Sequence, residues 1–313
     1  MRYLKMLPAV LAAGYILMYF SEILFWARPR PGDSLGGWLG TWLVYSLTGF
    51  ILLSVIGHFR ARSIWALFLA GAIFGWLTEG LVVQTTYEDL PLSLSFTGLA
   101  WHALISVLVG WWTVRRALLR GLKPTIYLSA VIGLGYGLWA IHWWQAPDGG
   151  VSSILDFVLY STMPTLLLIA SYWIVDRLLP KPILPNRWVV LAAAILLGIY
   201  FIFVTVPAVQ LAAVILPVLL LLVLLTLRHN RQVEETDSGA LVPTPPSGWH
   251  YIALLTIPAV AGAVYALAAW LGLRWNTNWV LYLVTTPTGF ILFILTLIKI
   301  WRKRILTSLE ASN

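Results

Sequence analysis

Ten apolar runs of about twenty residues, parted by short polar turns, leave this chain few folds to choose from. A helix rising about 1.5 Å per residue needs that length to cross a hydrocarbon core of about 30 Å. Inside such a core each peptide group must find its hydrogen bond within the protein, which restricts spanning structures to helices and closed barrels. A barrel strand alternates apolar and polar residues, and a run such as "LAAAILLGIYFIFVTV" does not. The remaining composition agrees: 60% hydrophobic, 10% charged, mean hydropathy +0.86. The sequence therefore predicts an all-α, polytopic transmembrane helical bundle. Its spans are placed at 6–26, 38–57, 64–83, 94–114, 124–143, 153–176, 188–206, 208–227, 250–271 and 279–299.

Charge orients the bundle. With both termini cytoplasmic, only Arg28, Arg30 and Arg274 fall outside, and the other 17 of the 20 Lys and Arg lie inside. Basic residues are retained on the cytoplasmic side during insertion, so the net charge of +8 reports topology. No nucleic-acid partner is read into it. The expected location is the plasma membrane, multi-pass, with both termini cytoplasmic.

The N-terminus, "MRYLKMLPAVLAAGYILMYFSEILFW", starts like a signal peptide, but its apolar run continues to Trp26 without a small-residue cleavage site, so it reads as a retained first helix. The absence of cysteine removes disulfides, thiolate metal sites and cysteine nucleophiles. The chain is tryptophan-rich, with 18 in all, and rings such as Trp26, Trp38, Trp143, Trp144, Trp275 and Trp279 fall at span ends, where amphipathic rings suit the headgroup level. The segment 228–249, "RHNRQVEETDSGALVPTPPSGW", is polar and proline-rich and reads as a flexible cytoplasmic linker between helices eight and nine. Two helices bury little alone, so residues 1–313 are expected to form a single membrane domain.

Each outward-running helix pairs a mid-span glycine with an aromatic residue: Gly14 with Tyr15, Gly71 with Phe74, Gly133 with Tyr136, Gly198 with Tyr200, and Gly262 with Tyr265. The spacing points to five diverged helical hairpins; the competing explanation is glycine's ordinary use where helices pack closely. The first two hairpins align most closely. Ser21-Glu22 follows Gly14 as Thr78-Glu79 follows Gly71, and both glutamates lie 17 residues beyond a basic anchor, Lys5 or Arg62. At about 1.5 Å per residue both carboxylates sit about 25 Å above those anchors.

The same arithmetic puts His102 about 20 Å, His142 about 28 Å and Asp156 about 31 Å from the cytoplasmic side, leaving the inner half without ionisable groups. Ionisable residues at such depth face a bundle interior or a wet cavity, which makes them candidates for a functional pocket. Glu79 and His102 are the candidate catalytic pair, as a base with its orienting partner or as metal ligands. Glu22, Gln84, Tyr87, His142 and Asp156 are candidate binding residues. Each has a structural alternative. His142 sits beside two tryptophans at the interface, Asp156 completes a capping motif with Ser153, and Glu22 is within sequence reach of Arg28. Glu79 with His102 can be a buried pair that merely holds two helices together.

No HExxH, HxxxH or P-loop motif occurs, so the sequence supplies no signature for a zincin or an ATPase. It specifies neither a metal nor a cofactor. Three readings stay open. The first is a membrane-embedded enzyme acting on a lipid or other amphiphile from the outer leaflet. The second is a secondary transporter of a small solute, with Pro164, Pro217, Pro258 and Pro287 loosening helices for alternating access. The third is an accessory or scaffold subunit. The partners expected are the lipid bilayer itself and an amphiphilic or small-molecule ligand.

The orientation is testable first. Cysteines introduced at Asp33, Asp89 and Asp148 are expected to react with an impermeant thiol reagent in intact cells, and one at Ser238 is not. Labelling at Ser238 overturns the assignment.

Overall fold

The computed structural model describes residues 2–145, 150–179, 185–233 and 246–310, and among these every regular element is helical. Six helices long and apolar enough to cross a membrane come first: α1 (Met6–Trp26), α2 (Leu35–His58), α3 (Ile64–Val83), α4 (Leu94–Arg120), α5 (Leu122–His142) and α6 (Ile154–Leu178). A 45-residue apolar stretch, Arg187–Arg231, follows. Two more spanning helices lie beyond it, so nine such segments occur among the described residues.

The 45-residue stretch accounts for the difference between nine segments and ten expected spans. It is too long for one crossing, and it holds α7 (Arg187–Tyr200) and α8 (Ile215–Val233) on either side of a break at Gln210, whose φ is 52°. Thr205, just past α7, donates to the Leu81 carbonyl at 2.8 Å, and a side chain on Gly80 would meet Leu216 of α8 at 3.4 Å. Both flanks of the break therefore adjoin the same end of α3. At the far end of α8, Arg231 lies 3.3 Å from His58 of α2. The chain turns back at the break, and α7 and α8 are separate passes.

The last two helices are α9 (Gly248–Trp270) and α10 (Thr277–Glu310). Of the expected linker 228–249, residues 234–245 lie outside the described residues, and its flanks are helical to Val233 and again from Gly248. Pro164 and Pro287 lie inside helices. Pro217 is the third residue of α8, after a 3₁₀ turn, where its missing N–H would be unpaired in any case, and Pro258 lies within α9, three residues past a 3₁₀ turn at Ala253–Leu255 that interrupts its α-helical course.

Packing divides the chain into two units. The first comprises Met1–Ser46, Val109–Pro180 and Val242–Leu283. Its helices are tied by polar side chains bonded to backbone or to one another. Tyr15 donates to the Pro164 carbonyl at 3.0 Å, Tyr19 and Thr165 share a 2.8 Å bond, and Tyr172 donates to the Gly110 carbonyl at 2.7 Å. Near the Arg120 end of α4, Arg115 pairs with buried Asp176 at 2.9 Å and Tyr251 donates to the same carboxylate at 3.0 Å. The expectation of an inner half without ionisable groups overlooked this cluster, because Asp176 adjoins Arg177 in sequence and reads as a solvated span end.

The second unit comprises Leu47–Leu108, Lys181–Leu241 and Val284–Asn313. Within it Ser95 donates to the Thr286 carbonyl at 2.6 Å and the Trp76 indole to the Leu94 carbonyl at 3.0 Å. Helix α3 is strongly enclosed, with 89% of its apolar window buried, against 17% for Arg187–Arg231. Leucines and isoleucines exposed along α7 and α8 give those helices the apolar outer surface that lipid contact requires.

Close helix approach depends on glycines, two of which stand at matching places in the first two hairpins. A Cβ on Gly14 would lie 2.5 Å from the Ser46 Cα, and one on Gly71 would lie 2.9 Å from the Ala103 Cα. Backbone occupies both sides of each contact, so neither can yield by a rotamer change. Gly71→Ala is expected to lower stability by about 1–3 kcal/mol, read as a lower thermal midpoint in detergent. Gly36→Ala, with nothing within 4 Å, is the control expected to show no such loss.

Candidate functional site

Glu79 sits where α3 stops being an ordinary α-helix. From Leu77 to Val83 the backbone widens to π-helical bonding, and the segment ends at Gln84 in the left-handed region, with φ 75°. Facing it, α4 is π-helical from Leu94 to Val114. Such turns are uncommon and frequently accompany functional sites. They also alter the depth arithmetic, since a wider helix rises less per residue and the α-helical rise does not apply between His102 and Arg115.

The two helices meet through glycine. A Cβ on Gly75 would lie 2.1 Å from the Gly98 carbonyl oxygen and 2.9 Å from the His102 Cβ, so hydrogen at this position admits α4. His102 Nε2 then lies 2.7 Å from Glu79 Oε1. Thr85 donates to Oε2. Both members of the pair are buried, Glu79 at 8% exposure and His102 at 2%, and the Phe74 ring stands edge-on to the imidazole at 5.5 Å. A carboxylate in so apolar a place requires this much donation, because each bond replaces one that water supplied.

The segment after Glu79 adds unused hydrogen-bonding capacity. Thr86 Oγ1 and Tyr87 Oη are both buried without a hydrogen-bond partner. Burial pushes the Tyr87 phenol up to about 12, so at neutral pH it is a protonated donor. Gln84 contributes its backbone, accepting from the Tyr87 N–H at 3.2 Å. Among the described residues no cluster of three or more His, Cys, Asp or Glu forms, so a metal here would have only Glu79 and His102 of those ligand types.

The other candidates belong to the first unit. Glu22 is bonded by the Trp26 indole at 2.9 Å and the Tyr45 hydroxyl at 2.8 Å; Arg28 instead lies over the Trp143 ring. His142 packs against Trp139 and Trp143 at the end of α5. Asp156 is exposed and caps α6, its N–H donating to Ser153 Oγ and its carboxylate accepting from the same hydroxyl.

Side by side, the first two hairpins repeat one another at an offset of 57 residues. Gly14 packs on Ser46 and Gly71 on Ala103. Glu22 lies in a π-helical turn, Tyr19–Ile23, as Glu79 does in Leu77–Val83. Each carboxylate is followed five residues later by a non-glycine residue at positive φ, Ala27 or Gln84. Each accepts a bond from the residue 23 positions on, Tyr45 or His102. The later hairpins do not continue the pattern. Gly133 packs on Ile257 of α9 and Gly198 has nothing within 4 Å, so the repeat demonstrated by geometry covers two hairpins of the expected five.

Sequence reasoning missed Tyr45 and Thr85. Tyr45 was legible, since adding the Glu22-to-Glu79 spacing to it gives His102. Thr85 carried no signal separable from the chain's many other threonines.

Compared with known proteins, the chain matches no family model, no curated protein and no solved structure.

The repeat yields a stability prediction. His102→Ala strands a buried carboxylate and is expected to cost about 3 kcal/mol or more. His102→Tyr restores the donor that the first hairpin uses and is expected to recover much of that loss. Thermal unfolding of both variants in detergent checks this, and equal loss in the two contradicts it.

Proposed function

We propose that the protein is a membrane-embedded enzyme acting on a lipid or other amphiphile, with Glu79 and His102 as its proton-accepting pair. The observation that carries this reading is the buried 2.7 Å Glu79–His102 bond, followed along the chain by two buried hydroxyls, Thr86 and Tyr87, that have no partner. A carboxylate that orients an imidazole is the usual construction of a general base. Unpartnered hydroxyls on the segment that follows Glu79 are suited to bonding a substrate oxygen. In this reading Thr86 and Tyr87 hold a substrate hydroxyl or a water, the pair takes its proton, and the oxygen becomes the nucleophile. Confinement of the pair to one end of α3 suits a substrate that arrives laterally from one leaflet.

The repeat favours a second reading. Duplicated helical units are common in secondary transporters, and a duplicated buried carboxylate is a plausible proton carrier. The hairpins differ at the donor, however: a tyrosine serves Glu22, while a histidine, the side chain that exchanges protons near neutral pH, serves Glu79. A cradle kept for structure needs only a donor, and the substitution of a titratable one in the second hairpin favours chemistry there.

Purified protein in detergent, incubated with membrane lipid mixtures and followed by mass spectrometry, is expected to convert one lipid class. His102→Tyr, folded and inserted, is expected to lose that turnover by about 100-fold or more. Lipid turnover unaffected by His102→Tyr overturns the proposal. Solute uptake into sealed vesicles that depends on Glu79, without lipid turnover, establishes the transporter instead.

A further inference from the structure

Three arginines were assigned to the outer side from sequence, and the structure treats them differently. Arg30 pairs with Asp33 at 2.9 Å and lies over Trp26. Arg274 is exposed. Arg28 is buried at 9% exposure, has no carboxylate within ion-pair distance among the described residues, and leaves its Nε buried without a partner. Its guanidinium carbon lies 5.1 Å from the centre of the Trp143 ring. An aromatic face steadies a cation but does not supply the acceptor that Nε lacks.

The same tryptophan brings in a second nitrogen. The His142 ring lies 5.0 Å from that of Trp143, and His142 Nδ1 is likewise buried without a partner. Trp143 is itself fixed, its indole donating to the Phe25 carbonyl at 3.0 Å and its ring stacked on Trp26 at 5.1 Å. A guanidinium and an imidazole therefore flank one immobilised ring, each with an unused nitrogen. Buried charge is stable when paired, and guanidinium forks match the oxygens of phosphate.

We propose that Arg28 and His142, mounted on Trp143, bind a phosphate-type oxyanion. The site lies wholly within the first unit and is independent of the Glu79–His102 pair. Its chemistry is met equally by a phospholipid headgroup and by free phosphate, and the test separates them.

Full-length protein in detergent is titrated with inorganic phosphate, with phosphatidylglycerol and with diacylglycerol of the same chains, and its thermal midpoint is followed. Saturable stabilisation by phosphatidylglycerol alone supports a lipid headgroup, and stabilisation by phosphate as well supports a free anion. Arg28→Gln is expected to weaken the titration roughly tenfold, and Arg30→Gln, which removes an arginine already paired, is expected to leave it unchanged. If Arg28→Gln yields no folded protein, His142→Asn must show the weaker titration. Stabilisation by diacylglycerol equal to that by phosphatidylglycerol, no stabilisation by any probe, or identical titrations of wild type and variant overturn the proposal. Asp148→Asn is expected to change nothing; a tighter titration would make Asp148 the partner of Arg28 and would also overturn it.

Discussion

A carboxylate buried among apolar helices has to be surrounded by donors, and the second unit is arranged around that requirement. Glu79 receives His102 on one oxygen and Thr85 on the other, and each donor needs a particular backbone feature to arrive. Gly75 lets α4 approach closely enough for His102, while the left-handed residue Gln84 ends α3 so that Thr85 lies close enough to bond the carboxylate. The widened turn at Leu77–Val83 sets the carboxylate in the same place. Losing any one of these takes a donor from a buried charge in a medium that gives no substitute.

The first hairpin shows the same arrangement with different chemistry. Glu22 is held by Tyr45 and Trp26, two donors with little tendency to exchange protons near neutral pH. The comparison separates what the cradle needs from what it does not. A donor 23 residues on is common to both, and the histidine is particular to the second hairpin. The proposal that Glu79 and His102 carry chemistry rests on that difference and on the unpartnered hydroxyls of Thr86 and Tyr87.

Much of this was legible in the sequence because membranes impose simple rules. Span length follows from bilayer thickness, so nine of the ten helices start within about three residues of expectation, while α8 starts later, at Ile215, and α4 and α10 run on past their expected ends to Arg120 and Glu310. Glu79 and His102 were conspicuous because ionisable residues are scarce in such segments. Asp176 was not, because beside Arg177 a carboxylate looks solvated; only the fold brings Arg115 and Tyr251 to it. The π-helical course of α4 was equally invisible, since apolar periodicity reports which face is buried and does not distinguish i→i+4 from i→i+5 bonding in a segment buried nearly all round.

The claim at the centre of this account is that Glu79 and His102 act as one unit. A double-mutant cycle on unfolding free energy, using Glu79→Gln, His102→Ala and the double variant, measures that directly. The account predicts a coupling of about 1–3 kcal/mol, because the second substitution removes the charge that the first stranded. Additive losses, agreeing within about 0.5 kcal/mol, would contradict it.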